Sequence, residues 1–547
     1  MPTAHRLKNL WLLLPLLVAF GLYLPAIRLP FFSDDVIHLR GVSTVSSEYI
    51  MTHADLGLYY ANNYYRPVVN LILRANYGMG FDPSAPFWHG LMILNHVLNT
   101  ALVGLLAKQL RLSQFAVFAA MMIFAVFPFN WQVVVWVLAW FHSLVLTAVL
   151  LACTAALRSF RHLKRPGILV LAGAAAPFIH ENGLFASAIL VMVVILTQNL
   201  REIRWRLVAI LAPMVVAAGV YIYLWTQITG RELPAIPLGR LFHAAYALSG
   251  GMVLMTVMPH WYTNPLTLEK TYPKLFPYVT LGLAGLAILS LRGTGIWTTY
   301  HVKAAYLVQG ISFPFQWAAH YAPLSTEKQA WLGGLVFAGF WSAIFAGAEP
   351  SARRLLLVGA GWFALTCVLP MLYLGEGYVL SSPRLFYAAA PGIALTYAVL
   401  FDQLRGYSRF ATLGIFAGVM LISVTYVQGR EALHTALGEA YQDFFEQLPE
   451  DENSRILVVN APRWMASHHN PFPLDNMGAV FVPDYYPLEE FLRVNVGRDY
   501  KQLIEVTDAD TMYMWDRVTG IGDVLEHSMV MELAQTHDFV YTFHIEE

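Results

Sequence analysis

The segment LPFFSDDVIHLR, residues 29–40, sets two carboxylates, Asp34 and Asp35, directly after a greasy N-terminal stretch. Adjacent negative charges repel each other and are costly to bury. Such a pair either caps a helix or is kept for chemistry, since a positioned carboxylate can take a proton from a hydroxyl. Arg66 precedes Pro67 at a predicted helix start. Glu181 stands between His180 and Asn182 in HENG, flanked by two short apolar runs, where a carboxylate needs a partner or a task. Arg384 follows SSP ahead of a further apolar run. Cations of this kind can steady a phosphate, snorkel to headgroups or anchor a helix at the membrane interface. Asp55 and His89 complete the polar set. His89 and His96, seven apart, share a helix face and read most simply as hydrogen-bonding residues between helices.

The elements that must position these groups are membrane helices. The chain has 547 residues, of which 57% are hydrophobic and 13% charged, against about 25% charged in soluble domains. Apolar runs long enough to span recur near 10–28, 87–107, 114–134, 136–157, 207–227, 276–291, 330–347, 354–373, 384–401 and 409–427. Shorter runs flank HENG, and two ambiguous ones lie at 241–259 and 299–318. The first run reads as an uncleaved helix, because no small-residue cleavage pattern follows it. Basic links at 108–111, 158–165, 201–206, 351–354 and 402–409 are expected on the cytoplasmic side, which gives about 13 spans. The loop 29–86, the turn 180–182 and the loop 374–383 then share the outer face, and the C-terminus lies outside. Formal net charge is −1, which excludes a strong field for nucleic acid. The two cysteines lie in apolar runs, so no disulfide framework is expected. The expected fold is mainly α, a polytopic membrane bundle over 1–430. From 431 to 547 polar composition and the short strand patterns ILVVN, GAVFVP and FVYTFHI predict a small extracytoplasmic α/β domain.

SDD, followed by YYRPVVNLILRANYGMGFDPSAPFWHGLMILNHVLNTALVGLL, resembles the membrane half of the transmembrane-and-TPR O-mannosyltransferases. Their first lumenal loop carries a double aspartate and a similar string. APFIHENG resembles that family's SKENG turn, with His180 in place of the lysine. SSPRLFYAAAPGIAL resembles its ERYLYLPSIGFAL, with Pro383 in place of the glutamate. The likeness covers residues 30–110 and later islands, and the TPR repeats are absent. It implies a GT-C-type, inverting glycosyltransferase of hexosyl or mannosyl type in a cell membrane. Such an enzyme moves a sugar from a polyprenyl-phosphate donor to a protein or glycan acceptor outside the cytoplasm. By that analogy Asp34, or Asp35 in its place, is the general base. Arg66, His180 and Arg384 meet the donor phosphate, and Glu181, Asn182, Asp55 and His89 orient the site. A divalent cation, Mg or Mn, at Asp34 and Asp35 is permitted by the resemblance and not required by it.

Two other classes stay open. A transporter or flippase of lipid-linked sugars also carries intramembrane charge near broken helices, but it predicts matching inverted halves. A membrane scaffold would put the function in 431–547. No HExxH, paired CxxC or Walker loop occurs.

Overall fold

The computed structural model describes residues 10–54, 56, 64–78, 84–162, 169–231, 296–406, 408–466, 470–472, 475, 478–483, 486–512 and 518–544. Among these, seven helices are long and apolar enough to cross a membrane, or eight if the bent pair Gln114–Ala125 and Pro128–Val135 is one span. The chain is a multi-pass helical membrane protein with a small sheet region at its C-terminal end. The runs expected at 241–259 and 276–291 lie outside the described residues. The run at 299–318 falls within helix Ile296–Ala319.

Helix Ala85–Gln109 starts after Ser84 and carries Pro86 in its first turn, where a missing N–H costs no hydrogen bond. It turns its polar residues inward. Asn95 Nδ2 donates to Thr147 Oγ1 (3.1 Å), Asn99 Nδ2 to the Ser143 carbonyl (3.0 Å), and His96 Nδ1 lies 2.9 Å from the Tyr387 hydroxyl. Away from water such bonds join helices that apolar packing alone would let slide.

The next stretch differs from the two unbroken runs expected at 114–134 and 136–157. Helix Gln114–Ala125 ends at Val126 and Phe127, and a turn Pro128–Asn130 leads to the short helix Trp131–Val135. The turn Val137–Ala139 then leads to helix Trp140–His162. Pro128 forces the first break, because the residue before a proline is pushed out of helical geometry; Phe127 has ψ 124°. Asn130 Nδ2 donates to the Phe124 carbonyl (2.8 Å), which satisfies an acceptor at the broken helix end. The bend across this break is 42°.

Helix Arg409–Gln447 runs 39 residues, so the boundary expected at 430/431 falls inside it. Beyond it, β1 (Arg455–Val459), β4 (Gln502–Asp508), β6 (Asp523–Leu525) and β7 (Phe539–Thr542) form a parallel sheet in the order β6-β4-β1-β7. A second, antiparallel sheet has the order β3-β2-β5, from β2 (Pro462–Met465), β3 (Ala479–Val480) and β5 (Val518–Gly520). One contiguous apolar core joins bundle and sheets. It includes Phe32 from the first loop and Tyr441, Phe481 and Phe491 from the C-terminal part.

Candidate functional site

Arg66 stands just before helix Pro67–Gly78 and Glu181 opens the turn after helix Leu169–Ile179. They meet in a forked ion pair. Arg66 Nη2 donates to Glu181 Oε2 at 2.9 Å and Nε to both carboxylate oxygens at 3.2 Å. The two side chains are only 16% and 21% exposed, a depth at which a lone charge would be expensive and a bidentate pair is tolerated. The HENG turn sits close because Gly183 packs against the backbone of Ala176 and Pro177, where a Cβ would collide. His180 Nδ1 accepts from the Asn182 N–H (3.0 Å) and its Nε2 is 3.4 Å from Glu181 Oε2. Burial first, then Arg66 and Arg384, hold the His180 imidazole well below its usual range. It is therefore neutral at pH 7, a hydrogen-bonding group and not a cation.

Arg384, in the turn Pro383–Phe386, has different company. Its backbone N–H and Nη1 both donate to Gln132 Oε1 (3.1 and 3.2 Å), and Nη2 donates to the Tyr378 hydroxyl (2.8 Å). The guanidinium lies 4.8 Å from the centre of the Trp136 ring and 5.1 Å from that of Tyr378. No carboxylate pairs with it among the described residues.

Asp34 occupies the N-cap position of helix Asp35–Thr44, yet its side chain makes no capping bond. Ser33, just before it, adopts φ +55°, a left-handed conformation uncommon outside glycine. Asp35 is buried and held by backbone donors: Oδ1 accepts from Leu138 N–H (2.5 Å) and Oδ2 from Phe32 N–H (3.4 Å). Burial pushes the Asp35 carboxyl well above the usual carboxylate range, the two N–H donors oppose that, and Asp34 adds to it. Asp35 lines a small cavity together with His38, Leu39, Val69, Leu73, Val137, Leu138 and Trp140.

One short segment touches Arg384, Asp35, Arg66 and His180. Gln132 and Trp136 hold Arg384, and Leu138 holds Asp35. Phe141 lies 4.1 Å beneath the Arg66 guanidinium and stacks on His180 at 4.9 Å. The broken apolar stretch 131–142 is thus the floor of the site. His38 ties the two sides electrostatically. Burial takes its imidazole down to about 4, with Asp34 opposing the fall and Arg66 adding to it. The Tyr64 hydroxyl is raised by burial and Tyr378 and also feels Arg66, Glu181 and Arg384. Five buried polar atoms on these residues have no hydrogen-bond partner among the described residues: His38 Nδ1, Trp136 Nε1, Trp140 Nε1, His142 Nδ1 and Ser382 Oγ.

Asp34, Asp35, Arg66, His180, Glu181, Asn182 and Arg384 are therefore brought to one region, and Asp55 lies outside the described residues. His89 is buried behind the first loop, its Nε2 3.4 Å from the Pro30 carbonyl and its ring stacked on Phe32. Gln132, Leu138, Phe141 and Tyr378 are additions that sequence reasoning missed, and Trp136 reads from sequence most simply as a belt or packing residue. The only signal for them was the unusual density of Trp131, Trp136 and Trp140, which reads equally well as an interfacial belt. Each Asp35 oxygen accepts one N–H, and no group of three His, Cys, Asp or Glu able to hold a metal ion occurs among the described residues, so they supply no ready ligand set for a cation at Asp34 and Asp35.

No protein-family model matches the chain, and no curated protein matches its sequence. Solved structures similar to it include the archaeal oligosaccharyltransferase AglB from Archaeoglobus fulgidus, in complex with an inhibitory peptide and a dolichol-phosphate. That likeness has 12% identity and a TM-score of 0.42, and covers 90% of this chain but 64% of AglB. Another is ArnT from Cupriavidus metallidurans in the apo state, with 12% identity, 93% and 94% coverage and a TM-score of 0.34. Neither overlap decides an activity for this chain.

Proposed function

We propose that the chain is a membrane glycosyltransferase that moves a sugar, mannose or a related hexose, from a polyprenyl-phosphate to an extracytoplasmic hydroxyl on a protein or glycan. The observation that carries this reading is Arg384. It is a cation whose partners among the described residues are neutral, and it stacks on Trp136, the residue just before the Val137–Ala139 turn that grips Asp35. Arg66 is already compensated by Glu181, so Arg384 is the charge left to meet a leaving phosphate.

Asp34 lies less buried than Asp35 and takes the proton of the acceptor hydroxyl as the oxygen of that hydroxyl bonds to the sugar C1. The C1–O bond to phosphate breaks and its electron pair leaves on the phosphate, steadied by Arg384. Attack opposite the leaving group inverts the anomeric carbon. Asp35 fixes the loop, and it stands in as base if Asp34 cannot reach. The unpartnered donors and acceptors of Trp136, Trp140, His142, His38 and Ser382 suit a polyhydroxylated ligand. The test is transfer from labelled polyprenyl-phosphate mannose by Asp34→Asn and Asp35→Asn proteins. Full turnover in both ends the proposal. Lipid-linked sugar crossing vesicles without transfer would replace it with a carrier.

A further inference from the structure

The C-terminal part of the chain shows no motif of its own for the reaction, yet it grips the segment that carries the aspartates. Asn495, near the end of helix Leu488–Val496, clasps both backbone groups of one first-loop residue. Its Oδ1 accepts from Phe31 N–H (2.8 Å), and its Nδ2 donates to the Phe31 carbonyl (3.0 Å) and to the Phe491 carbonyl (3.1 Å). Two residues on, the left-handed Ser33 donates its N–H to the Phe481 carbonyl at 2.7 Å. One turn into the following helix, Arg40 Nε pairs with Glu490 at 2.8 Å. The Phe32 ring packs 5.1 Å from Phe481 and 5.4 Å from His434. On the opposite side Leu138 of the bundle floor holds Asp35.

The carboxylates are thus suspended between two bodies. Apolar packing of Phe32 would suffice to dock the loop, but it leaves rotation about the chain axis unspecified. A side-chain amide that matches both the N–H and the C=O of one residue holds two successive peptide groups and so fixes position and rotation together. Asp34 lies three residues beyond that clasp, and a misplacement of about 1 Å at a reacting group costs on the order of a hundredfold in rate. We propose that Asn495 is a positioning residue for the first-loop aspartates, so that the C-terminal region is an integral part of the catalytic unit. This rests on the reading of Asp34 and Asp35 given above.

The test uses the full chain reconstituted in lipid, with labelled polyprenyl-phosphate mannose as donor and extracted membranes as acceptor. Asn495→Ala should lower kcat at least tenfold while the donor KM stays within twofold, because the Arg384 side is untouched. Asn495→Asp keeps the acceptor for Phe31 N–H and loses the donor, and should fall between. Arg455→Ala breaks an exposed ion pair with Asp538 in the same region and should leave kcat unchanged. Wild-type kcat in Asn495→Ala, with Asp34→Asn and Asp35→Asn inactive, overturns the positioning role alone. A loss in Asn495→Ala matched by Arg455→Ala reports general unfolding and overturns it too. Retained turnover in both aspartate variants instead overturns the reading on which the role rests.

Discussion

His180 lies 3.4 Å from Glu181 in the bundle, and His527 lies 2.7 Å from Asp508 in the C-terminal sheet, yet the two imidazoles are pushed in opposite directions. His527 is 52% exposed, and the hydrogen bond and charge of Asp508 raise it above its ordinary value. His180 is buried, and its carboxylate neighbour is spent on Arg66, so burial and two arginines depress it. Asp508 is itself occupied, accepting from Asp510 N–H while its own N–H donates to Asn460. The same residue types therefore make a surface fastening in one place and a half-buried, charge-balanced cluster in the other. Residue type alone does not mark a site; desolvation and the identity of the third partner do.

That contrast is sharpened or broken by substitution. The largest effect is expected at Asp34: Asp34→Asn should lower kcat by about 10²–10⁴-fold, the range for a lost general base, measured as single-turnover transfer. Arg384→Gln should cost about 10²–10³-fold with little loss of fold, since its partners are neutral, as for a lost donor to a developing anion. Arg66→Met should behave differently, destabilising the protein by about 3 kcal/mol because Glu181 is left buried and unpaired. The double variant Arg66→Met/Glu181→Leu should regain much of that stability in thermal melts while transfer stays impaired. A single Arg66→Met with normal melting would show that the pair does not hold the fold.

Smaller effects test the turn and the surface pair. Gly183→Ala must push against the Ala176 backbone, and should lower transfer while leaving the C-terminal sheet intact in limited proteolysis. His527→Ala should leave turnover within twofold. Its folded-state value is raised and that of Asp508 lowered. The stabilisation is therefore complete between the unfolded values of about 4 for Asp and about 6.5 for His. It fades as pH rises through the raised His527 value or falls through the lowered Asp508 value. Wild type and His527→Ala should melt apart near pH 5.5 and converge above pH 9. A gap independent of pH would deny the pair its ionic character.

The chemistry-bearing groups were legible as residue types because each interrupts apolar sequence: Asp34 and Asp35 after Phe32, Glu181 in HENG, Arg384 after Pro383. Their common floor was not. Residues 131–142 are as apolar as a span, and the break at Trp136 has no glycine or proline of its own to announce it; only Pro128 hints at trouble upstream. The helix through residue 430 hid for the opposite reason, since polarity changes there while helical periodicity does not. In the sheet, β1 and β7 stand out as runs of branched and aromatic residues. β4, QLIEVTD, mixes charges into a strand paired on both sides and gives no such signal.

Helix Arg409–Gln447 has a mechanical side. At about 1.5 Å per residue its 39 residues make a rod of roughly 58 Å, close to twice a hydrocarbon core of about 30 Å. Its first half is apolar enough to span, and its second half is packed on one side, with Arg430, His434, Leu437, Tyr441 and Phe444 buried. Gln442, on that second half, is bonded to the Arg28 carbonyl, a few positions ahead of the acidic pair. One helix thus serves both as a span and as a fastening of the first loop, and the expected outcome is a kcat that differs between vesicles of short and long acyl chains.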